Sequence, residues 1–422
     1  MRHPRLVAVV IGLVLLGLPI GVGMHHRGVL IGDANLAAGT TGQHTYTSWK
    51  GAGGFAAGTN EGTTVVDGEL VMGTPIGTTS LGGRSWQTSR WTSAWATPGH
   101  AFTQLVPSWN AATPTGTLIQ VRLRAKASSG AISSFDTIAT WNLRDGEFER
   151  TSYDVQTDDF VNVNVDTLRA DTGHSLRAWQ VQVVLLRQAG RAGPRVTKVG
   201  GVASQLATSL PVTSKPLYGA RTLDVPRLSQ MIHRGEYPRY GGGGEAWCSP
   251  TSTSMVLAYY GQLPSASDYA WASTSYRDRY VDHVARRTFD FRYDGTGNWP
   301  FNTAYAARQV DDAFVTRMAT LRDAERFVHV GIPVVASISF DKGQLTGAPI
   351  GATNGHLVVI VGFTADGKVV VNDPAAPDNS SVRRTYDRGQ FERAWLRKSS
   401  GLAYVIRDAA HPLPAREGHT NW

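Results

Sequence analysis

A glycine-rich segment that leads into a helix occupies residues 241–261, which read GGGGEAWCSPTSTSMVLAYYG. Pro250 suits the first turn of a helix, where its missing N–H group costs nothing, so Ser249 or Cys248 is expected at the N-cap and Gly261 at the end. A cysteine at that place lies at the positive end of the helix dipole, among free backbone N–H groups that stabilise a thiolate. The segment therefore predicts a nucleophile at Cys248.

The residues around this cysteine indicate where a substrate would lie. Gly244 is the last of four consecutive glycines, which leave room for a substrate backbone to approach the thiolate. Trp247 precedes the cysteine, and Trp299 belongs to the loop 295–300 further along the chain. These two indoles are expected either to line a substrate cleft or to pack in the core.

A partner for the thiolate is predicted on two apolar strands of the C-terminal half. His356 opens the run 356–363, and Asp373 directly follows the run 368–372, 17 positions later. A turn at residues 365–367 would make the two runs antiparallel neighbours, which places the start of one beside the end of the other. The pattern predicts an imidazole whose second nitrogen meets a carboxylate.

Taken together, these motifs resemble the C39-like family of papain-fold cysteine peptidases of the secreted bacterial type, over residues 224–407. The matching segments are Asp224-Val-Pro-Arg-Leu-Ser-Gln230, Trp247-Cys-Ser-Pro-Thr-Ser252, Gly355-His356 and Asn372-Asp373-Pro374.

The resemblance implies an α+β papain-like domain that hydrolyses peptide bonds through a thioester acyl-enzyme. It implies that Cys248 is the nucleophile, that His356 transfers the proton and that Asp373 orients the imidazole. It also assigns Gln230 to the oxyanion hole. The sequence departs from the family in two ways: the usual Cys-Gly-Pro reads Cys-Ser-Pro here, and the 17 residues between Gln230 and Cys248 form a longer loop than expected.

The N-terminal half has a different pattern, typical of an all-β sandwich over residues 41–210. Short β-branched and aromatic runs alternate with Gly, Ser and Thr clusters, as in 63–72, 101–109, 117–127, 135–141 and 179–186. Seven tryptophans lie here, and they are interpreted either as core or as an aromatic platform for sugar rings. A linker is predicted over 211–223, and a C-terminal tail over 408–422.

Composition limits the remaining function classes. The chain has 422 residues, enough for two domains, and its single cysteine excludes an intrachain disulfide framework and a zinc site built on several thiolates. No metal or nucleotide motif is present, so no cofactor is expected. The net charge of +8 is scattered, which argues against a nucleic-acid partner and favours loose attraction to a cell-wall glycan or surface polyanion through the N-terminal domain. The acidic pairs 158–159 and 311–312 are expected in solvated turns or at helix starts.

The first 38 residues are predicted to direct export. Arg2, His3 and Arg5 precede an apolar stretch over residues 6–24, as in a signal peptide or an uncleaved anchor. The protein is therefore expected to be secreted or to be anchored at the outer face of the plasma membrane, with membrane contact only through this segment.

Three functions fit these observations. The main one is a secreted or surface-anchored cysteine peptidase that acts on peptides or proteins. The second is an amidase that cuts peptidoglycan stem peptides with the same nucleophile. The third is a non-catalytic peptide- or glycan-binding surface protein that keeps a peptidase-like fold.

Overall fold

The computed structural model describes residues 42–146 and 148–422 of the chain. The predicted signal or anchor lies outside these residues. Among the helices of the described part, none combines the length and the apolar character that crossing a membrane requires. The described part is mostly β, with three seven-stranded sheets and few helices.

The N-terminal half is built from short strands joined by tight turns. Its elements within the described residues are β1 (Gln43–Lys50), α1 (Gly51–Ala56), β2 (Thr59–Glu61), β3 (Thr63–Val66), β4 (Glu69–Met72), β5 (Gly77–Leu81), β6 (Arg84–Thr92), β7 (Gln104–Ala112), β8 (Thr117–Ala127), β9 (Asp136–Trp141), β10 (Thr151–Ser152), β11 (Val161–Asn164), β12 (Thr167–Ala170), β13 (Leu176–Arg187) and β14 (Arg195–Gln205).

These strands form two antiparallel sheets that pack face to face. The first has the order β11-β12-β7-β14-β4-β3, with β1 also on β14, and the second the order β10-β9-β8-β13-β6-β2, with β5 on β6. Aromatic pairs join the sheets: the rings of Trp49 and Trp179 are 5.3 Å apart, and those of Trp109 and Trp141 are 6.2 Å apart. The N-terminal half is therefore the all-β sandwich that the alternating pattern predicts.

The tryptophans of the sandwich are almost all core residues. Six of the seven are buried, namely Trp49, Trp86, Trp91, Trp109, Trp141 and Trp179. A buried indole offers no face to a ligand, so the interpretation as a sugar platform is wrong for these six. Trp95 is half-buried, and Arg124 and Lys126 lie over its ring.

The C-terminal half places helices against a third sheet. Its elements are β15 (Arg221–Thr222), α2 (Cys248–Tyr259), α3 (Tyr280–Thr288), α4 (Trp299–Ala306), β16 (Asp312–Arg317), α5 (Leu321–His329), β17 (Val334–Phe340), β18 (Thr353–Phe363), β19 (Val369–Asn372), β20 (Arg383–Tyr386), α6 (Arg388–Leu396) and β21 (Leu402–Arg407), with 3-10 turns at Gln230–His233, Gly244–Ala246 and Asn379–Ser381. The strand order is β16-β21-β17-β18-β19-β20, and β15 pairs with β18.

The two halves share one continuous hydrophobic core. Phe301 of α4 packs against Trp109 and Trp141 of the sandwich, at ring distances of 6.1 and 5.0 Å. Arg150, which is fully buried, donates hydrogen bonds from the sandwich side to the carbonyl oxygens of Arg286 and Phe289 at 2.8 and 3.1 Å. The halves are therefore packed as one body in this structure.

A buried ion pair crosses the same junction. Lys198 of β14 donates to Asp312 of β16 at 2.7 Å, and both side chains are more than nine-tenths buried. Asn110 of β7 donates to the same carboxylate at 3.2 Å. The expectation that the pair 311–312 forms a solvated turn or helix start is therefore wrong for Asp312, because a cation 114 positions earlier compensates its burial.

The predicted linker and tail are both held against the body. Ser214 and Leu217 of the linker donate backbone hydrogen bonds to Glu392 and Glu325, each at 2.7 Å. The tail returns to the sandwich, where the carbonyl of Thr420 accepts a hydrogen bond from the backbone N–H of Tyr46 at 2.8 Å, and Trp422 is buried. The tail therefore contributes to the core that joins the halves.

We expect Asp312→Asn to destabilise the fold by about 3–5 kcal/mol, because it leaves the Lys198 ammonium buried without its counter-charge. Urea denaturation followed by tryptophan fluorescence measures this change. Asp366→Asn is the matched control, since it removes the acid of an exposed Lys–Asp pair, with 52% and 60% of the two side chains accessible, and should leave the unfolding midpoint unchanged. Equal effects of the two substitutions would contradict the role given to the buried pair.

Candidate active site

Cys248 is the first residue of α2, and Trp247 occupies the N-cap without a side-chain cap. The expectation that Ser249 or Cys248 would be the cap is therefore wrong by one residue. The helix ends as predicted, with Gly261 in the left-handed region at a φ of 66°. Cys248 is the first helical residue, so its backbone N–H group has no carbonyl within the helix to which it could donate a hydrogen bond.

The backbone conformation and the close packing before Cys248 explain why glycine occupies these positions. Gly242 and Gly243 have φ values of 95° and 107°, which residues with a side chain rarely adopt. Gly244 is buried, and a Cβ atom there would lie 2.2 Å from the carbonyl oxygen of His233. Gly244 thus allows the chain to pass close to the 3-10 turn Gln230–His233, which differs from the predicted role of admitting a substrate.

His356 lies near the start of β18 and is hydrogen-bonded to Asp373. Its Nε2 atom is 2.7 Å from Oδ1 of Asp373. The antiparallel register, in which Val359 faces Asn372, brings the two residues together across β18 and β19. The strands are joined by the predicted turn, in which Gly367 has a φ of 81°.

Asp373 is held by more than the histidine. The hydroxyl of Tyr386 donates to Oδ2 at 2.8 Å, and the backbone N–H of Ala375 donates to Oδ1 at 3.0 Å. Burial by itself would raise the pKa of Asp373, but the charge and hydrogen bond of His356, together with these two donors, lower it. The carboxylate is therefore kept ionised in a buried place.

The imidazole of His356 is held in its protonated form. Burial would lower its pKa, but the charge and hydrogen bond of Asp373 and the neighbouring side chain of Cys248 outweigh burial and raise the pKa to about 10. An imidazolium that lies between a carboxylate and a cysteine side chain stabilises the ionised, nucleophilic form of that cysteine.

Gln230 also reaches this place, in spite of its long separation from Cys248. Its backbone N–H donates to the carbonyl of Pro374 at 2.9 Å, which ties it to the loop after Asp373. Its side-chain Nε2 donates to the carbonyl of Glu245 at 2.6 Å, while Oε1 is buried without a partner. Since an amide nitrogen carries two hydrogens, one donor position remains beyond the bond to Glu245.

A cleft of about 350 Å³ contains the three residues Gln230, Cys248 and His356. The rest of its lining is Met231, Glu245, Ala246, Phe340, Asp341, Ile350 and residues 352–355. Asp373 lies behind His356 and is buried. The structure thus brings together the four residues proposed from the sequence for catalysis.

The other predicted site residues lie away from this cleft. Trp247 is completely buried, and its indole N–H donates to the carbonyl of Tyr240 at 2.6 Å. Trp299 borders a separate cavity of about 40 Å³ together with Asp166 and Tyr293. Of the two interpretations given for these indoles, core packing describes Trp247. Tyr386, which orients Asp373, was missed because it lies on β20, and nothing in its local sequence marks it.

Two family models match the chain. Residues 222–402 match the Peptidase C39-like family, and residues 45–204 match the Peptidase C39 N-terminal domain. The C-terminal half of the chain is therefore a C39-like peptidase domain, and the N-terminal sandwich matches the N-terminal domain described for peptidase C39.

Curated proteins and solved structures give no informative match to the chain. No curated protein matches the chain. The solved structures that match include that of the Gt strain of infectious bursal disease virus, at 12% identity, with a TM-score of 0.10 and coverage of 39% of this chain and 61% of that one. A second is the D431N mutant VP2 protein of the same virus, at 12% identity, with a TM-score of 0.09 and coverage of 39% and 58%. Likenesses of this size support no statement about the fold.

The raised pKa of His356 predicts a pH-dependent contribution to stability. A histidine whose pKa is near 6.5 when unfolded and higher when folded stabilises the fold fully below pH 6.5, and this contribution is lost as the pH rises toward the folded value of about 10. In a Cys248→Ala background, which keeps the partner Asp373 but removes the part of the shift that comes from Cys248, the stability lost on His356→Gln should shrink as the pH rises from 6.5 toward 10, and the decline should be complete at a lower pH than in the native chain. Urea denaturation across that range measures it, and a loss that is independent of pH would contradict the assignment.

Proposed function

We propose that this chain is a secreted or surface-anchored cysteine peptidase with a papain-like α+β catalytic domain. The observation that carries the proposal is the position of His356, which is hydrogen-bonded to Asp373 and faces Cys248 in an open cleft. The family membership supports a peptidase, and the geometry supplies the residues that would perform the reaction.

In the proposed reaction, the Cys248 thiolate attacks the carbonyl carbon of a peptide bond. The C–N bond then breaks as the His356 imidazolium donates its proton to the leaving amine, which leaves a thioester on the cysteine. Neutral His356 next removes a proton from water, the hydroxide attacks the thioester, and the thiolate and imidazolium are restored with release of the acid.

Asp373 has a positioning role in this scheme. Its bond to Nε2 leaves the other ring nitrogen of His356 for the thiol and the leaving group. Its negative charge also stabilises the imidazolium that exists before attack and after acyl transfer. The hydrogen bonds from Tyr386 and Ala375 fix the carboxylate so that it cannot rotate away.

Two donors are proposed to stabilise the oxyanion of the tetrahedral intermediate. One is the second hydrogen of the Gln230 amide, whose first hydrogen is fixed on the carbonyl of Glu245. The other is the backbone N–H of Cys248 at the start of α2, where the helix dipole adds to its effect. Such preorganised donors contribute most when the charge develops in the transition state.

The cleft and the sandwich support the remaining parts of the proposal. Met231, Phe340 and Ile350 give the cleft an apolar wall that suits peptide side chains. The net charge of +8, which belongs to the whole chain, supports a loose association of the protein with an anionic cell-wall glycan or polyanion. Export rests on the basic and apolar pattern at the start of the chain.

We expect Cys248→Ala to abolish hydrolysis of casein and of fluorogenic peptides, since it removes the nucleophile. We expect Gln230→Ala to lower kcat by about 10²–10³-fold through loss of one oxyanion donor. Gln262→Ala is the matched control, because this glutamine is exposed just beyond α2 and should leave kcat unchanged. Steady-state kinetics on the purified full chain measure all three.

The same variants separate the alternatives. Release of stem-peptide fragments from purified sacculi, with casein untouched and with loss of activity in Cys248→Ala, would replace the peptidase by the amidase. Absence of turnover on every substrate, with binding of peptide or glycan that Cys248→Ala leaves unchanged, would overturn the catalytic proposal in favour of a binding protein.

A further inference from the structure

A buried group of three ligand-type side chains lies outside the cleft. His233, Glu236 and Asp282 each offer one nitrogen or oxygen atom, and these atoms all lie within 4.8 Å of one another. His233 and Asp282 are completely buried, and Glu236 is 7% exposed. Among the described residues this is the one such group of three or more.

The two carboxylates of this cluster share a single basic neighbour, the imidazole of His233. Glu236 has the Nδ1 atom of His233 at 2.8 Å from its Oε2. Asp282 contacts the carboxyl group of Glu236 and its own backbone N–H, and within the described residues no basic side chain donates a hydrogen bond to either of its oxygens. Asp282 nevertheless points into the cluster, with Oδ2 at 3.8 Å from the same Nδ1 atom. An unpartnered buried carboxylate is costly unless it is neutralised or bound to a cation.

The ligand atoms of His233 lie within about half an ångström of the spacing that a zinc site requires. Zinc bonds to histidine nitrogen and carboxylate oxygen at about 2.0–2.2 Å, so neighbouring ligands in a tetrahedral site lie about 3.3 Å apart. The 2.8 and 3.8 Å distances from Nδ1 of His233 lie on either side of this value, so each needs to change by about half an ångström.

We propose that His233, Glu236 and Asp282 bind a divalent transition-metal ion of the zinc type at a structural site. The site departs from the expectation of no metal, which rested on sequence motifs. A His-x-x-Glu pair in an irregular segment, completed by an acid 46 positions later, matches no such motif. The proposal does not depend on peptidase activity.

The position of the cluster suggests what the ion would do. His233 belongs to the same 3-10 turn as Gln230, and the backbone at Gly244 passes directly over it. Asp282 belongs to α3, which packs against α2, the helix that begins at Cys248. A bound ion would therefore tie the Gln230 segment to α3, the helix that packs against α2.

The test uses the full chain with Cys248→Ala, so that the metal cannot bind the thiolate. After expression with added zinc, elemental analysis should find one equivalent per chain, and removal with a chelator followed by titration calorimetry with Zn²⁺ should find one site. Asp282→Asn in this background should weaken Zn²⁺ binding by at least the roughly 10–100-fold that the loss of an outer-shell partner costs, because it replaces a direct carboxylate ligand. Asp366→Asn, on an exposed turn, should bind as the parent does.

If Asp282→Asn does not fold, Co²⁺ in the Cys248→Ala parent gives an independent measurement. The proposal predicts ligand-field bands of a four- or five-coordinate ion without thiolate charge-transfer absorption. Substoichiometric metal together with no heat on titration would overturn the proposal and leave a proton shared by Glu236 and Asp282 as the neutralising group. Unchanged binding in a folded Asp282→Asn variant would also overturn it.

Discussion

The hydrogen bond between His356 and Asp373 is the interaction on which the cleft depends. Both side chains are buried, and burial alone would neutralise each of them. Each charge persists because the other is 2.7 Å away and because Tyr386 and Ala375 satisfy the rest of the carboxylate. The result is a cation placed beside the only cysteine of the chain. Two antiparallel strands with a short turn are enough to fix that geometry.

The sandwich is part of the same packed body as the cleft. Aromatic rings, a buried arginine and a buried lysine–aspartate pair join it to the C-terminal half, and the C-terminal tail returns to the first strand. A loosely tethered binding module would not need such a junction. The sandwich therefore has a fixed orientation relative to the C-terminal half.

The features that could be predicted from the sequence are local in origin. The period-two pattern of β8, the turn between β18 and β19 and, to within one residue, the start of α2 each follow from neighbouring residues. Features that depend on distant partners could not be predicted. The local sequence around Asp312 predicts a solvated turn, because the ion pair with Lys198 forms only when two distant strands pack together. Tyr386 and Asp282 carry no local signal, because their roles depend on packing between separate elements.

The central proposal is that His356 activates Cys248 as a nucleophile, and the rate of alkylation by iodoacetamide tests it most directly. For the native chain, we expect alkylation between pH 5 and 8 to be faster than that of a free thiol, and we expect it to slow sharply at pH 6 in His356→Gln. A free thiol, with a pKa of about 8.5, reacts about tenfold faster for each pH unit in this range. That steep rise in the native chain, unaffected by His356→Gln, would contradict the account.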